Sequence, residues 1–306
     1  MNDPIPFNRD LEKVPADEAE TIRGLNDTMQ EILDRVAEDE GHAYRSVHAK
    51  SHGMIAARLT IGEDLPREYR QGLFAQSGEY EAILRVSTNP GDVLHDAVSV
   101  PRGLALKVLN VEGERLEGSE DDSSQDFVMI NGPAFSAPDA TEFLKTLKFL
   151  AKTTDRAEWG KKLVSQILQG VDKGLTATTG PSATVRTLGG APNTHPLGET
   201  YYSQTPFRFG DYMAKFQLAP VSDDLTQLTG QTIDTSNRPD ALREAVDASM
   251  RKTQARWELR IQLCRDLDAH PIEDATAVWD EEVSPFVTVA SVAAAAQPGW
   301  TETRAE

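Results

Sequence analysis

From Ile22 to Val36, apolar residues return every third or fourth position (Ile22, Leu25, Met29, Ile32, Leu33, Val36), which marks one face of a helix. Gly41 supplies its stop. Beyond Gly41 the period changes. Short apolar runs over 54–61, 82–87, 104–109 and 127–130 predict strands, and several are apolar at nearly every position, as expected of a strand covered on both faces. Pro90-Gly91, Pro101 and the acidic stretch 118–122 separate them. Ser136-Ala137-Pro138-Asp139 opens a helix with Phe143, Leu144, Leu147 and Leu150 on its apolar face. Asp155 and Glu158 cap a second helix, carrying Trp159, Leu163, Ile167 and Leu168. Residues 174–200 read as a long loop of the kind that lines a site or an interface. Strands resume at 212–218, 257–263 and 285–292, with a helix at 240–250 between them (Leu242, Val246, Met250).

Seven or eight strands, two helical inserts and no internal repeat predict an α+β protein, an antiparallel β-barrel with helical insertions and an N-terminal helix. The expected division is a helical extension over 1–40, the barrel domain over 41–292 and a tail over 293–306. The chain has 306 residues, with 31 Lys and Arg against 49 Asp and Glu, a formal net charge of −18. Such a surface repels phosphate backbones, so no nucleic-acid partner is expected. Mean hydropathy is −0.44, and no apolar run approaches the ~18–20 residues of a membrane span. Met1-Asn2-Asp3-Pro4 lacks the basic and apolar segments of a secretory signal. A single cysteine, Cys264, excludes a disulfide framework and a Cys-rich metal cluster. These features together predict a cytoplasmic protein.

Candidate chemistry gathers around Arg45-Ser46-Val47-His48-Ala49-Lys50. A histidine at the mouth of a strand, followed by the small residues Ala49, Ser51 and Gly53, can face a cavity and shuttle protons near neutral pH. His52 stands four residues on, but in a strand that is roughly 13 Å away, too far for one metal, so no metal site is expected. Arg85 and Arg102 sit within or beside apolar strands and each needs an anionic partner, either a carboxylate of the chain or an anionic ligand. Gly-x-Ser-x-Gly, Gly-x-Gly-x-x-Gly and Walker loops are all absent, and Cys264 reads as an inert buried thiol.

At these same residues the chain resembles the haem catalases, and within them the small catalase-related proteins. Arg45-Ser46-Val47-His48-Ala49-Lys50 is similar to the Arg-x-Val-His-Ala-Lys element that carries the distal histidine. Leu84-Arg85-Val86-Ser87-Thr88 resembles the Arg-Phe-Ser-Thr strand, and Pro101-Arg102-Gly103-Leu104-Ala105-Leu106-Lys107 the Pro-Arg-Gly-Phe-Ala-x-Lys strand, in family order. The segments 124–131 and 199–206, and Pro271-Ile272-Glu273-Asp274 with Trp279, resemble the smaller relatives.

The resemblance implies a catalase-like barrel that binds haem b. His48 would be the catalytic acid/base that moves a proton between the two peroxide oxygens, supported by Ser87. Arg45 and Arg85 would pair with haem propionates; Arg102 joins them as a cofactor-binding candidate, and Phe127 would wall the distal pocket. The family's distal Asn has no direct match; Ser123 or Ser124 falls near its place and Asn131 is the substitute candidate. The iron-holding tyrosine, in a late Arg-x-x-x-Tyr helix, also has no counterpart, since no Tyr follows Tyr212. Two readings stay open. One is a haem-dependent catalase- or peroxidase-like oxidoreductase acting on hydrogen peroxide or organic hydroperoxides. The other is a haem-free catalase-fold module that binds without turnover. Homo-oligomers are compatible with either.

Overall fold

The computed structural model describes residues 2–42, 44–116, 118–153 and 192–305. Its nine antiparallel strands are β1 (Ser51–Ile61), β2 (Gly78–Thr88), β3 (Arg102–Leu109), β4 (Ser124–Ile130), β5 (Tyr201–Tyr202), β6 (Phe207–Phe209), β7 (Tyr212–Pro220), β8 (Ala255–Leu263) and β9 (Val287–Ala294). Eight of them close a ring in the order β1-β2-β3-β4-β5-β7-β8-β9, and β9 returns to β1 through Arg58↔Ala293, Leu59↔Val292 and Thr60↔Ser291. Strand β6 stands outside the ring as a hairpin arm on β7, from Phe207↔Ala214 to Phe209↔Tyr212. This is the expected α+β barrel.

Alternation decides which side chains fill the ring. Ile55 and Leu59 of β1, Leu84 and Val86 of β2, Leu104 and Leu106 of β3, and Trp257 and Leu259 of β8 point inward and are buried. Each such side chain contributes about 1.5–3 kcal/mol of burial free energy. Gln297 extends the β9–β1 ladder by one rung with its side-chain amide, which accepts from Ala56 N at 3.0 Å and donates to Ala56 O at 2.8 Å.

The wall is unevenly laced. Strands β4 and β5 meet at one pair, Ile130↔Tyr202, and β5 reaches β7 through two, Tyr201↔Leu218 and Tyr202↔Gln217. Strand β6 pairs only with β7 among the described residues. Among the described residues, β4 therefore has no ladder partner on its outer edge over 124–129.

Among the described residues, three longer helices decorate the barrel: α1 (Glu18–Glu40), α2 (Ala140–Thr153) and α3 (Ala241–Met250). Helix α1 ends at Gly41 with φ +69°, a left-handed conformation that glycine adopts without steric cost. Its Ile32 and Val36 bury against Leu147 and Ala151 of α2, whereas Ile22, on the same predicted stripe, stays exposed. Asp139 caps α2 by accepting Glu142 N at 2.8 Å. The helix expected from Asp155 to Leu168, and the loop as far as residue 191, lie outside the described residues. Strands β5 and β6 are too short to carry a period, and β9 begins at Val287 rather than Pro285, which has no N–H for the ladder. No helix among the described residues is long and apolar enough to cross a membrane.

Candidate functional site

Residues 45–50 form an irregular turn leading into β1, and the backbone there is unusually well tied. His48 has φ +54°, a left-handed geometry that costs a non-glycine residue about 1–3 kcal/mol. Several bonds hold it. His48 N donates to Asn89 O at 2.7 Å and Ala49 N to Pro90 O at 3.1 Å. Arg85 Nη2 donates to His48 O at 2.8 Å and to Ala49 O at 3.3 Å. Lys50 is buried beyond them, its ammonium donating to Asp96 Oδ1 (2.7 Å), Leu94 O (2.7 Å) and Pro239 O (2.6 Å). Asp96 Oδ2 in turn accepts Leu242 N of α3 at 2.8 Å. The buried ion pair thus ties the His48 turn to α3.

Register shows what the imidazole rests on. On the outer face of the barrel, Ser87, Gly103 and Ile130 form one cross-strand row, and Arg85, Ala105 and Val128 the next. His48 Nδ1 lies 3.1 Å from Ser87 Oγ. A Cβ at Gly103 would sit 2.4 Å from His48 Cε1 and 2.6 Å from Nδ1, so the ring lies directly on that glycine. Gly91 makes a matching close approach, with Ser46 O 2.5 Å from where its Cβ would be. Neither glycine stands out in the sequence as a site residue, although Gly103 lies inside the Pro101-Arg102-Gly103 motif.

Burial, reinforced by the Arg85 and Arg45 charges, lowers the His48 pKa to about 4. The ring is therefore neutral at physiological pH, with a nitrogen free to accept a proton. Burial and Arg45 hold Arg85 down to about 10, still fully charged at neutral pH. Among the described residues no carboxylate pairs with Arg45 or Arg85; Arg45 is exposed and Arg85 half-buried.

Other candidates lie apart from this group. Arg102 is wholly buried and finds its anion within the chain: Nη2 and Nε donate to Glu199 at 2.6 and 2.7 Å, and Nη2 to Thr194 Oγ1 at 2.8 Å. Asn131 belongs to the same network, donating to Glu199 Oε2 at 3.1 Å and accepting Arg102 N at 2.9 Å. Glu199 carries no sequence signal of this role, since it stands 97 positions from Arg102. Phe127 is buried and points into the barrel core. His52 is buried in a β1 bulge with Nε2 3.3 Å from Thr88 Oγ1. Tyr201 is fully buried, donates to Pro196 O at 2.8 Å, and is held as a neutral phenol by burial. Cys264 is buried, which pushes its thiol up to about 11.

A cavity of about 910 Å³ runs from His48, between α1 and α2, to the β4–β6 side of the barrel. This is at the upper end of the roughly 300–1,000 Å³ usual for small-molecule sites. His48 and Phe127 are in its wall; Arg45, Ser87, Arg85, Arg102 and Asn131 are not, Ser87 and Gly103 lying against the imidazole. Asp92 also lines it, its carboxyl raised to about 6 by burial and by Asp39 and Glu40.

No family model matches the chain, and no curated protein sequence does. Solved structures do. A fungal catalase superposes with TM-score 0.53 at 16% identity, covering 97% of this chain and 57% of the catalase. Catalase A from Saccharomyces cerevisiae gives 0.55 at 17%, covering 97% and 59%, and a bacterial catalase gives 0.54 at 17%, covering 96% and 55%. The chain thus spans a little under three fifths of the length of each, and its fold is catalase-like.

Proposed function

We propose that this chain binds haem b against the face presented by His48 and that His48 serves as the proton shuttle for a hydroperoxide. The observation that carries the reading is an imidazole seated on Gly103 and hydrogen-bonded to Ser87, beside two arginines that pair with no carboxylate among the described residues. The fit to the group is one-sided. The imidazole, which covers Gly103, is the surface a planar ligand would face, and Arg45 and Arg85 suit its two propionates. No described residue takes the place of the family's Arg-x-x-x-Tyr. When bound, haem supplies the redox chemistry toward peroxide. The chain's own part is acid–base. Ser87 fixes the imidazole through Nδ1, which leaves Nε2 to take a proton from one peroxide oxygen and return it to the other.

Reconstitution with haem tests this directly. A stoichiometric Soret band is expected, with peroxide-dependent turnover that falls about 10²–10⁴-fold in His48→Ala while haem content persists. In Arg85→Gln, haem is expected to wash out more readily. Absence of a Soret band after supplementation would favour the second reading, a haem-free barrel that binds without turnover.

A further inference from the structure

The cavity does not stop at the outer face of the barrel. Val128, which points outward, and Phe127 and Met129, which point inward, line the same space. A cavity that touches both faces of one strand must pass around its edge, and the outer edge of β4 over 124–129 is the one without a ladder partner among the described residues. On the inner side it meets Phe216 of β7 and Ile261 of β8, both core residues of the barrel. The rings here form one contiguous group. Phe207 stacks on Phe216 at 4.6 Å between centroids, Phe216 meets Phe127 edge-on at 5.0 Å, and Phe74 bridges Phe127 and Phe209 at 6.2 and 5.9 Å.

We infer that this inner lobe is a binding site for a flexible, uncharged apolar chain, which enters through the slot between β4 and β6. Four observations favour that occupant. Apart from Gln125, which shares the inward face of β4, the strand residues of the inner wall are aromatic and aliphatic, and none of those that point inward is charged. A slot between two strands admits a narrow chain more readily than a rigid fused ring. Val128 and Leu116, each 65% exposed, extend the apolar track to the outside. The formal charge of −18 disfavours an anionic head group near the mouth. Apolar contact area supplies the affinity, at roughly 0.8 kcal/mol per buried methylene. The inference needs no haem.

The haem-free full chain is titrated with N-phenyl-1-naphthylamine, a neutral apolar fluorophore, and the probe is displaced with 1-dodecanol. Saturable displacement is expected. Met129→Phe and Ile261→Trp, which fill the lobe, should each raise the dodecanol Kd at least tenfold with an unchanged circular-dichroism spectrum. Absence of displaceable binding, or a Kd within twofold in Met129→Phe, would overturn the inference. Should Ile261→Trp fail to fold, a dodecanol analogue with a diazirine at its far carbon gives the answer on the unmodified chain. Photolabelling within 212–220 or 255–263 supports the inner site; labelling confined to α1 and α2 overturns it. A negative result here leaves the Soret experiment unaffected, and the reverse also holds.

Discussion

At His48 the structure spends backbone strain to place one ring, and the surrounding bonds make the placement sharp. Because the ring rests on a glycine, the smallest possible change beneath it is informative. Gly103→Ala puts a methyl 2.4 Å from Cε1, so the imidazole must lift away from Ser87. The expected outcomes are a His48 pKa that climbs from about 4 toward its ordinary 6.5, followed by histidine NMR, and turnover reduced at least about tenfold. The depressed pKa also sets a stability window. Between pH 6.5 and about 4 the unfolded chain takes up a proton at this position and the folded chain does not. Stability from His48 is therefore complete above pH 6.5 and falls as the pH drops toward 4. Asp92, raised to about 6, slopes the other way over pH 4–6 because the folded state holds the proton more tightly. In urea melts in an Asp92→Asn background, His48→Gln should make the slope shallower, the part that remains coming from His52 and His195, which burial also lowers.

Among the elements, the strand that carries the site depends on a charge pair hidden from solvent. Lys50→Met strands Asp96, which is 2% exposed, and should cost about 3–5 kcal/mol, read as a lower urea midpoint. The double variant Lys50→Met with Asp96→Leu should recover part of that loss, because no lone charge remains. These elements also show what a reader of the sequence can reach. The strong strands, the α1 stop at Gly41 and the cap at Asp139 follow from period and local chemistry. So do His48, Arg85 and Ser87 as neighbours of one site, through three motifs in family order. Strands of two and three residues leave no period, so β5 and β6, and with them the slot, stay invisible. Pairings across long separations are equally silent. The arginine at position 102 needed an anion, but only the fold identifies it as Glu199. The seating of His48 on Gly103 depends on cross-strand register, which no single segment encodes.

For the molecule as a whole, a formal charge of −18 on 306 residues means that folding compresses like charges. Added salt screens them over a Debye length of about 10 Å at 0.1 M, so the thermal midpoint should rise between 10 mM and 0.3 M sodium chloride and then level off. A falling midpoint would point to attractive surface pairs as the dominant electrostatics. The closure of the ring has a kinetic corollary. The rungs from Arg58, Leu59 and Thr60 to β9 join residues more than 230 positions apart, whereas β1 through β4 follow one another as a meander. Loop-closure entropy makes such distant rungs late and slow to form. Nascent chains of this protein should accordingly dwell as an open, curved sheet with two raw margins, the step at which chaperones would find it and at which crowded chains would stick to one another.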